Sequence, residues 1–551
     1  MSAQPTFNFP RTSGLSRLHP GEIIVDLFAG GGGASEALRQ ALGRDPDIAI
    51  NHDADAIGMH AANHPFTVHH REDVWQTDPV REVAGRPVGW FHASPDCTHF
   101  SQAKGGQPRS RATRSLSWVV LKWAGALARA GRAPRIISLE NVRQIRSWGP
   151  LIAKRDPATG RVVKLDGTVA LRGERVPVDQ QFLVPDKRRA GQTWARFLHE
   201  LRGMGYQVKH RLLIASDYGA GTSRERLFLI ARRDGLPIVW PAQTHGRGLG
   251  LQPLVTAADC IDWSIPCPSI FERARPLADA TCRRIAKGIH KFVLDTDEPF
   301  IVPGPAAAFL TEHANGSSQR VFAADEPLRT QVSGIKGGHF SAVSAHLIKI
   351  RGDVRAGVAI TEPVPTITSG AGAARPAGAA HALGVVSAFL EQANGGFYTG
   401  AGNDLRQPAP TIVGSGSQQR LVTCTLSQQQ TDGALRVAAF LIKYYGTAHG
   451  ENLRDPLDTV TTRDRLALVT VTIKGTPYVI VDIGLRMLKP AELYRAQGFP
   501  ADYIIDRTAD GRRLSISAST RMCGNSVSPP PLAAIARANL DPAHNMEAMA
   551  A

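Results

Sequence analysis

The stretch SPDCTHFS, residues 94–101, carries the first of six cysteines in a chain of 551 residues. Cys97 stands among Asp96, Thr98, His99 and Ser101, and a Gly-containing run follows it. Cysteine is most often a small, inert, buried side chain. Polar neighbours on both sides disfavour that state and favour a reactive, nucleophilic thiol. Glu140 ends the apolar run IISLEN, where a carboxylate can serve as an acid or bind a ring nitrogen; a helix cap is an equal reading. Arg224 and Arg226 precede LFLIA at i, i+2 spacing, which in a strand puts both side chains on one face. A solvated basic edge is the alternative.

Such groups need a scaffold, and the first hundred residues read as one. Ile23-Ile24-Val25 suits a buried strand, ASEALRQAL suits a helix, and Gly30 to Gly33 lie between them. The glycines let backbone approach a ligand, and the helix start offers unpaired N–H groups. The run departs from G-x-G-x-x-G because Ser35 occupies the third glycine position. Asp26 at the strand end and Phe28 in the loop suit a ligand with an amino-acid group and an adenine ring better than a pyrophosphate. In DIAINHDADAIGMHAANHP a second strand and helix follow, with His52-Asp53 where a ribose-holding carboxylate is expected. Asp73 lies in a third turn, and GWFHASPDC supplies a fourth strand leading to Cys97. The order predicts an α/β fold with a Rossmann-like parallel sheet and ligands at its carboxyl edge.

The chain carries 64 Lys+Arg against 48 Asp+Glu, a formal charge of +16, which favours a polyanionic partner such as nucleic acid. Its 43% hydrophobic content can bury a sizeable core. The cysteines are too sparse for a disulfide framework and lack paired C-x-x-C spacing, so no metal site and a reducing cytoplasm are expected. The N-terminal segment has no apolar core of a signal peptide, and no apolar run reaches the ~18 residues of a membrane span.

DLFAGGGG, SPDCTHFS, LENV, TSRERLFLIA, RMLKPAELYRAQGFP and RMCGNSVSPP, in that order, resemble the motifs of DNA (cytosine-5)-methyltransferases of bacterial or prophage type. The resemblance covers roughly the first 235 residues and the last 70. It implies S-adenosylmethionine as donor and Cys97 as the nucleophile that adds to cytosine C6. Glu140 would contact and protonate N3, Arg226 would hold O2, and Arg224 would support the site. Phe28 would stack on adenine, with Asp26, Gly30 and Gly32 shaping the methionine end. Ala29 and Asp73 join that set, Asp53 would hold the ribose, and Asn525 would help close the pocket. The sequence departs from the family where Asp96 replaces the proline before the cysteine, where His52 takes the acidic position of the second motif, and where Thr222 replaces glutamine. A carboxylate beside a thiol raises its pKa, so Asp96 calls for nearby positive charge.

Residues 234–485 differ in character, being rich in Gly, Thr, Pro and small apolar residues. Four copies of A-[FH]-L, at Ala308, Ala345, Ala388 and Ala439, each lead to a Pro-x-x-Thr element: EPLRTQV, EPVPTIT, QPAPTIV and DPLDTVT. Short β-rich runs around turns suggest stacked or paired hairpins. The resemblance puts target recognition here; a purely structural repeat is the alternative. A second insert, from Ala153 to Gly191, reads as a basic hairpin that adds phosphate contacts.

The expected organisation is therefore a catalytic donor-binding domain over 1–238, a β-rich target-recognition domain with four repeats over 239–480, and a return to the catalytic domain over 481–551. The expected function is methyl transfer to C5 of cytosine in double-stranded DNA, through base flipping and a covalent Cys97–C6 bond. A monomer acting at the nucleoid is expected, with a cognate restriction endonuclease as an open question. An RNA cytosine-5-methyltransferase, an inactive DNA-binding relative and a nicotinamide dehydrogenase are the rivals.

Overall fold

The computed structural model describes residues 18–96, 110, 114 and 116–294, six short strand segments between 310 and 473, and residues 476–540. Cys97, the loop behind it and most of the four repeats lie outside the described residues. Apart from Leu421 and Val422, the strands between 310 and 481 are described by backbone alone.

Alternation along the first strand explains the core. In β1 (Ile23–Leu27), Val25 and Leu27 enter one apolar cluster with Phe91, Trp123, Leu139 and Leu229. Ile24 enters the opposite cluster with Leu38, Trp90, Phe228 and Leu532. A strand covered on both faces is a central strand of a parallel sheet. Then come α1 (Gly33–Leu42), β2 (Ile48–Ile50), α2 (Ala54–Asn63), β3 (Val68–His70), α3 (Pro79–Val83) and β4 (Val88–Ala93). They are followed by α4 (Trp118–Arg129), β5 (Ile136–Asn141), a short pair β6 (Leu151–Ala153) and β7 (Leu183–Pro185), and α5 (Gln192–Gly203). β8 (Gln207–Ile214), β9 (Thr222–Ser223) and β10 (Glu225–Arg232) close this part.

The seven-stranded sheet has the order β3-β2-β1-β4-β5-β10-β8. The first five strands in that order are parallel, while β10 runs antiparallel to both β5 and β8. The order reverses between β1 and β4, and ligands of such sheets bind outside the carboxyl ends at that point. The mixed α/β class and parallel sheet expected from the sequence are present.

The chain divides into two compact units. The first comprises 1–218, 225–244 and 498–551; the second comprises 219–224 and 245–497. The second unit holds α6 (Ala257–Cys260), α7 (Asp279–Ile289) and strands β11 (Leu310–Glu312), β12 (Leu328–Arg329), β13 (Phe340–Ala342), β14 (Gly384–Gln392), β15 (Gln419–Ser427), β16 (Thr470–Ile473) and β17 (Thr476–Met487). Six of these form an antiparallel sheet, β14-β15-β11-β13-β17-β16. Helix α8 (Pro490–Ala496) also belongs to it. Within RMLKPAELYRAQGFP, Glu492 pairs with Arg486 at 2.8 Å in the unit's interior and accepts from Lys489 N at the start of α8. The motif is thus a capped helix start tied to β17.

The first unit resumes with α9 (Ile516–Asn525) and α10 (Pro529–Leu540), the latter packed on α1 through Leu532, Ile535 and Leu38. Among the described residues no helix is long and apolar enough to cross a membrane.

Candidate active site at the carboxyl edge of the sheet

At the end of β1, Asp26 is fully buried. Its Oδ2 accepts from Ser35 Oγ at 2.7 Å, while Oδ1 has no hydrogen-bond partner. Burial outweighs the Ser35 hydrogen bond and pushes this carboxyl up to about 7. Ser35 Oγ also lies 2.8 Å from His60 Nε2, and His60 Nδ1 lies 2.8 Å from His69 Nε2. A buried hydrogen-bonded chain therefore runs Asp26–Ser35–His60–His69. Burial and the neighbouring His64 and His69 hold His60 well below the ordinary histidine range, so it acts as a neutral link.

The loop between β1 and α1 is backbone-strained and crowded. Phe28 is half-buried and has φ 60°, an uncommon conformation for a residue with a Cβ. Ala29 is buried and its N–H donates to Ile50 O at 3.2 Å. Gly30 has φ 55°, and Gly32 caps α1 at φ 96°. A Cβ on Gly32 would stand 2.1 Å from Tyr503 Oη. Tyr503 donates to Gly31 O at 2.6 Å, and Gly33 abuts the carbonyl of Val527. The C-terminal segment thus closes directly over the glycine loop. Asn525 sits exposed at the end of α9, beside Ser526 and Val527.

The expected ribose residue has two partners of its own here. Asp53 caps α2, accepting from Asp55 N and Ala56 N, and pairs with Arg521 Nη1 at 2.5 Å. Burial alone would raise its pKa, but the Arg521 pair and the cap bring it below the usual carboxylate range. Asp73 lies exposed in a turn, accepting from Trp75 N.

Two strands away, Glu140 lies near the end of β5 and Arg226 near the start of β10. Arg226 Nε is 2.9 Å from Glu140 Oε1, and the side chains are 5% and 8% exposed. Beside them Asn141, fully buried, donates to Pro95 O at 2.9 Å. That bond fastens the end of β4 to the end of β5 two residues before Cys97. Phe28 O accepts from Ser94 Oγ at 3.4 Å, which ties the same strand end to the glycine loop.

Arg224 is buried and stands one residue before β10 begins, while Arg226, also buried, lies in β10. Sequence reading missed Ser35, His60, His69 and Tyr503. Only the histidine-rich run between 60 and 70 offered a local signal; the Tyr503–Gly31 bond spans 472 residues.

A profile of the C-5 cytosine-specific DNA methylase family matches residues 23–148, 182–251 and 406–540, more than half of the chain. Among curated proteins, the type II methyltransferase M.BspRI of Lysinibacillus sphaericus is 34% identical over 73 residues, 13% of this chain and 17% of that protein. The type II methyltransferase M.AgeI of Thalassovita gelatinovora is 25% identical over 229 residues, 41% of this chain and 42% of that protein. The matches span less than half the length of these relatives. Among solved structures, the S. pombe Dnmt2 methyltransferase superposes with a TM-score of 0.42 at 13% identity, covering 94% of this chain and 98% of that one.

Proposed function

The chain belongs to the C-5 cytosine-specific DNA methylase family, and on that premise we propose that it methylates C5 of cytosine in double-stranded DNA with S-adenosylmethionine as donor. One observation carries the reading: the buried Glu140–Arg226 pair and the Asn141–Pro95 bond converge where β4 delivers the chain to Cys97. A carboxyl group and a guanidinium side by side suit the polar edge of a pyrimidine ring, and Cys97 follows two residues after Pro95 in the chain.

The residues at the end of β1 fit such a donor. The buried, unpartnered Asp26 Oδ1 suits its ammonium group, and the crowded glycine loop leaves backbone rather than side chain on that side. Phe28 is the ring for adenine, with Ala29, Gly30 and Gly32 around the methionine end and Asn525 closing over them. Asp53 and Asp73 remain the candidates for the ribose and the adenine edge; Asp53 would share its carboxylate between Arg521 and a hydroxyl. When bound, the donor supplies a methyl group on a positively charged sulfur.

The cytosine ring at C5 is a poor nucleophile. In the proposed reaction the Cys97 thiolate adds to C6, Glu140 gives a proton or strong hydrogen bond to N3, and Arg226 holds O2. The C5–C6 pair then carries enamine-like electrons that would take the methyl group at C5 as the sulfur–methyl bond breaks and its electrons stay on sulfur, leaving a neutral thioether. The C5 proton passes to water, N3 returns its proton to Glu140, and the electrons of the C5–H bond re-form the C5–C6 double bond as the thiolate leaves. Covalent addition divides one hard step into easier ones, and the positioned acid contributes roughly 10²–10⁴-fold. C6 is shielded in a stacked duplex, so the base is extruded first. The β-rich unit is the proposed reader of flanking bases, and the type II names of relatives raise a cognate endonuclease as a partner.

The test is to incubate the chain with duplex DNA and methyl-labelled donor, then digest the DNA to nucleosides. Label in 5-methylcytosine supports the reading; label confined to RNA given in parallel, or to neither, overturns it.

A further inference from the structure

Residues 150–190 are a folded β insert. β6 and β7 pair antiparallel, and further bridges join Arg155 to Val162, Val163 to Val169 and Lys164 to Gln181. Val163, Ala170, Val176 and Leu183 form its small buried interior. The family profile stops at 148 and resumes at 182, so most of the insert is additional to the shared fold.

The two ends of the insert are tied to each other, and the insert follows β5 in the chain after one short turn. The insert leaves the sheet just after the carboxyl end of β5, where Glu140 and Asn141 stand. Asp186 N donates to Pro150 O, and Arg114 donates to Gly149 O at 3.2 Å. A Cβ on Gly149 would lie 2.3 Å from Arg189 O, so the two ends of the insert are in backbone contact.

The acids and bases of the insert are disposed differently. Asp156 and Asp166 each accept from the N–H and hydroxyl of a threonine in their own turn, and Asp186 accepts from Arg188 N. Glu174 pairs with Lys164 at 2.5 Å. Lys154, Arg155, Arg172, Arg175, Lys187 and Arg188 are all exposed, and among the described residues none has a carboxylate within ion-pair range. Residues 150–190 hold nine Lys and Arg against five Asp and Glu, so the insert carries a net cationic surface. A merely soluble face places both signs in alternation instead.

We propose that this insert is an accessory phosphate-backbone clamp, contacting duplex DNA beyond the target base pair. The proposal rests on the DNA-methylating reading of the site. The clamp holds the duplex by charge and reads no sequence, because phosphate contacts position without specifying. It lengthens the footprint at the edge from which the target base must be drawn.

The test uses the full chain with Lys154, Arg155, Arg172, Arg175, Lys187 and Arg188 replaced by Gln, beside a milder variant, Arg172→Gln with Arg175→Gln. Affinity for a 12-base-pair and a 40-base-pair duplex is measured against salt. Each lost phosphate contact lowers the slope of log K against log salt by about 0.9, so the six-fold variant is expected to lose about 5 and the double variant about 2. The loss falls on the longer duplex, and kcat at saturating DNA stays unchanged. A Lys↔Arg exchange at the six positions restores the slope. Unchanged slopes and affinities in both variants overturn the clamp, including the outcome in which the surface serves a protein partner. If the slope falls but no duplex is ever methylated, the clamp survives and the catalytic reading fails.

Discussion

The ends of β1 and β5 each bury a carboxylate at the same edge of one sheet, yet their partners differ. Glu140 is paired with the guanidinium of Arg226 at 2.9 Å. Asp26 has a single hydroxyl, Ser35, and one oxygen with no hydrogen-bond partner. In the first arrangement a cation already stands against the carboxylate. The second is incomplete, since burial holds the carboxyl near neutrality until a cation arrives. On the proposed reading the difference divides the work: the Glu140–Arg226 pair would face the ring, and Asp26 would meet the donor's ammonium group.

Four changes break or sharpen that contrast. The largest effect is expected for Glu140→Gln. It removes the acid while keeping the shape, and kcat for methyl transfer should fall about 10²–10⁴-fold with donor affinity unchanged. Steady-state kinetics with varied donor and DNA check this.

Arg226→Ala strands Glu140 as a buried charge. The first unit should lose about 3–5 kcal/mol in urea titration, with the full range expected only if the cavity stays dry. Arg226→Lys should recover part of the stability and little of the activity, because a point charge does not reproduce the planar fork.

At the other end, Asp26 predicts a pH effect. Its folded-state pKa of about 7 lies above the ordinary value of 3.8, so protonation favours the fold. That contribution is complete below the unfolded pKa and disappears as pH rises through 7. Donor binding has the opposite sign, because the ammonium group needs the carboxylate. Affinity should fall about tenfold per pH unit below 7, and Asp26→Asn should be weak and flat. Titration of the donor by calorimetry between pH 5.5 and 8.5 decides it.

The smallest effect is expected for Asn141→Ala, which frees the end of β4 from the end of β5. The substitution removes the bond to the buried Pro95 carbonyl and the one Asn141 Oδ1 accepts from Val142 N, a cost of about 1–3 kcal/mol. Thermal unfolding and kcat measured together should show both reduced, with KM for the donor held.

Much of this edge was legible in the sequence because it is local. An apolar run followed by glycine or by an acid marks a strand end, and Asp26, Phe28, Glu140 and Asn141 all fall at or just beyond such ends. Arg224 and Arg226 read as one strand face; β10 begins at Glu225 between them, and both are buried. Spacing cannot show that a carboxylate already has partners, as Asp53 does in Arg521. The lid residue Tyr503 was illegible because its partner is remote in sequence, and no local pattern marks such a contact. The four repeats fall largely on residues whose arrangement is outside the described part of the chain.

The most direct test is mass spectrometry of the chain after incubation with donor and a cognate duplex carrying 5-fluorocytosine at the target. Fluorine at C5 cannot leave as a proton, so the expected product is a stable adduct of protein, methyl group and DNA that maps to the peptide holding Cys97 and is lost in Cys97→Ser. An adduct on any other residue, or efficient methylation by Cys97→Ser, would contradict the assignment of the nucleophile.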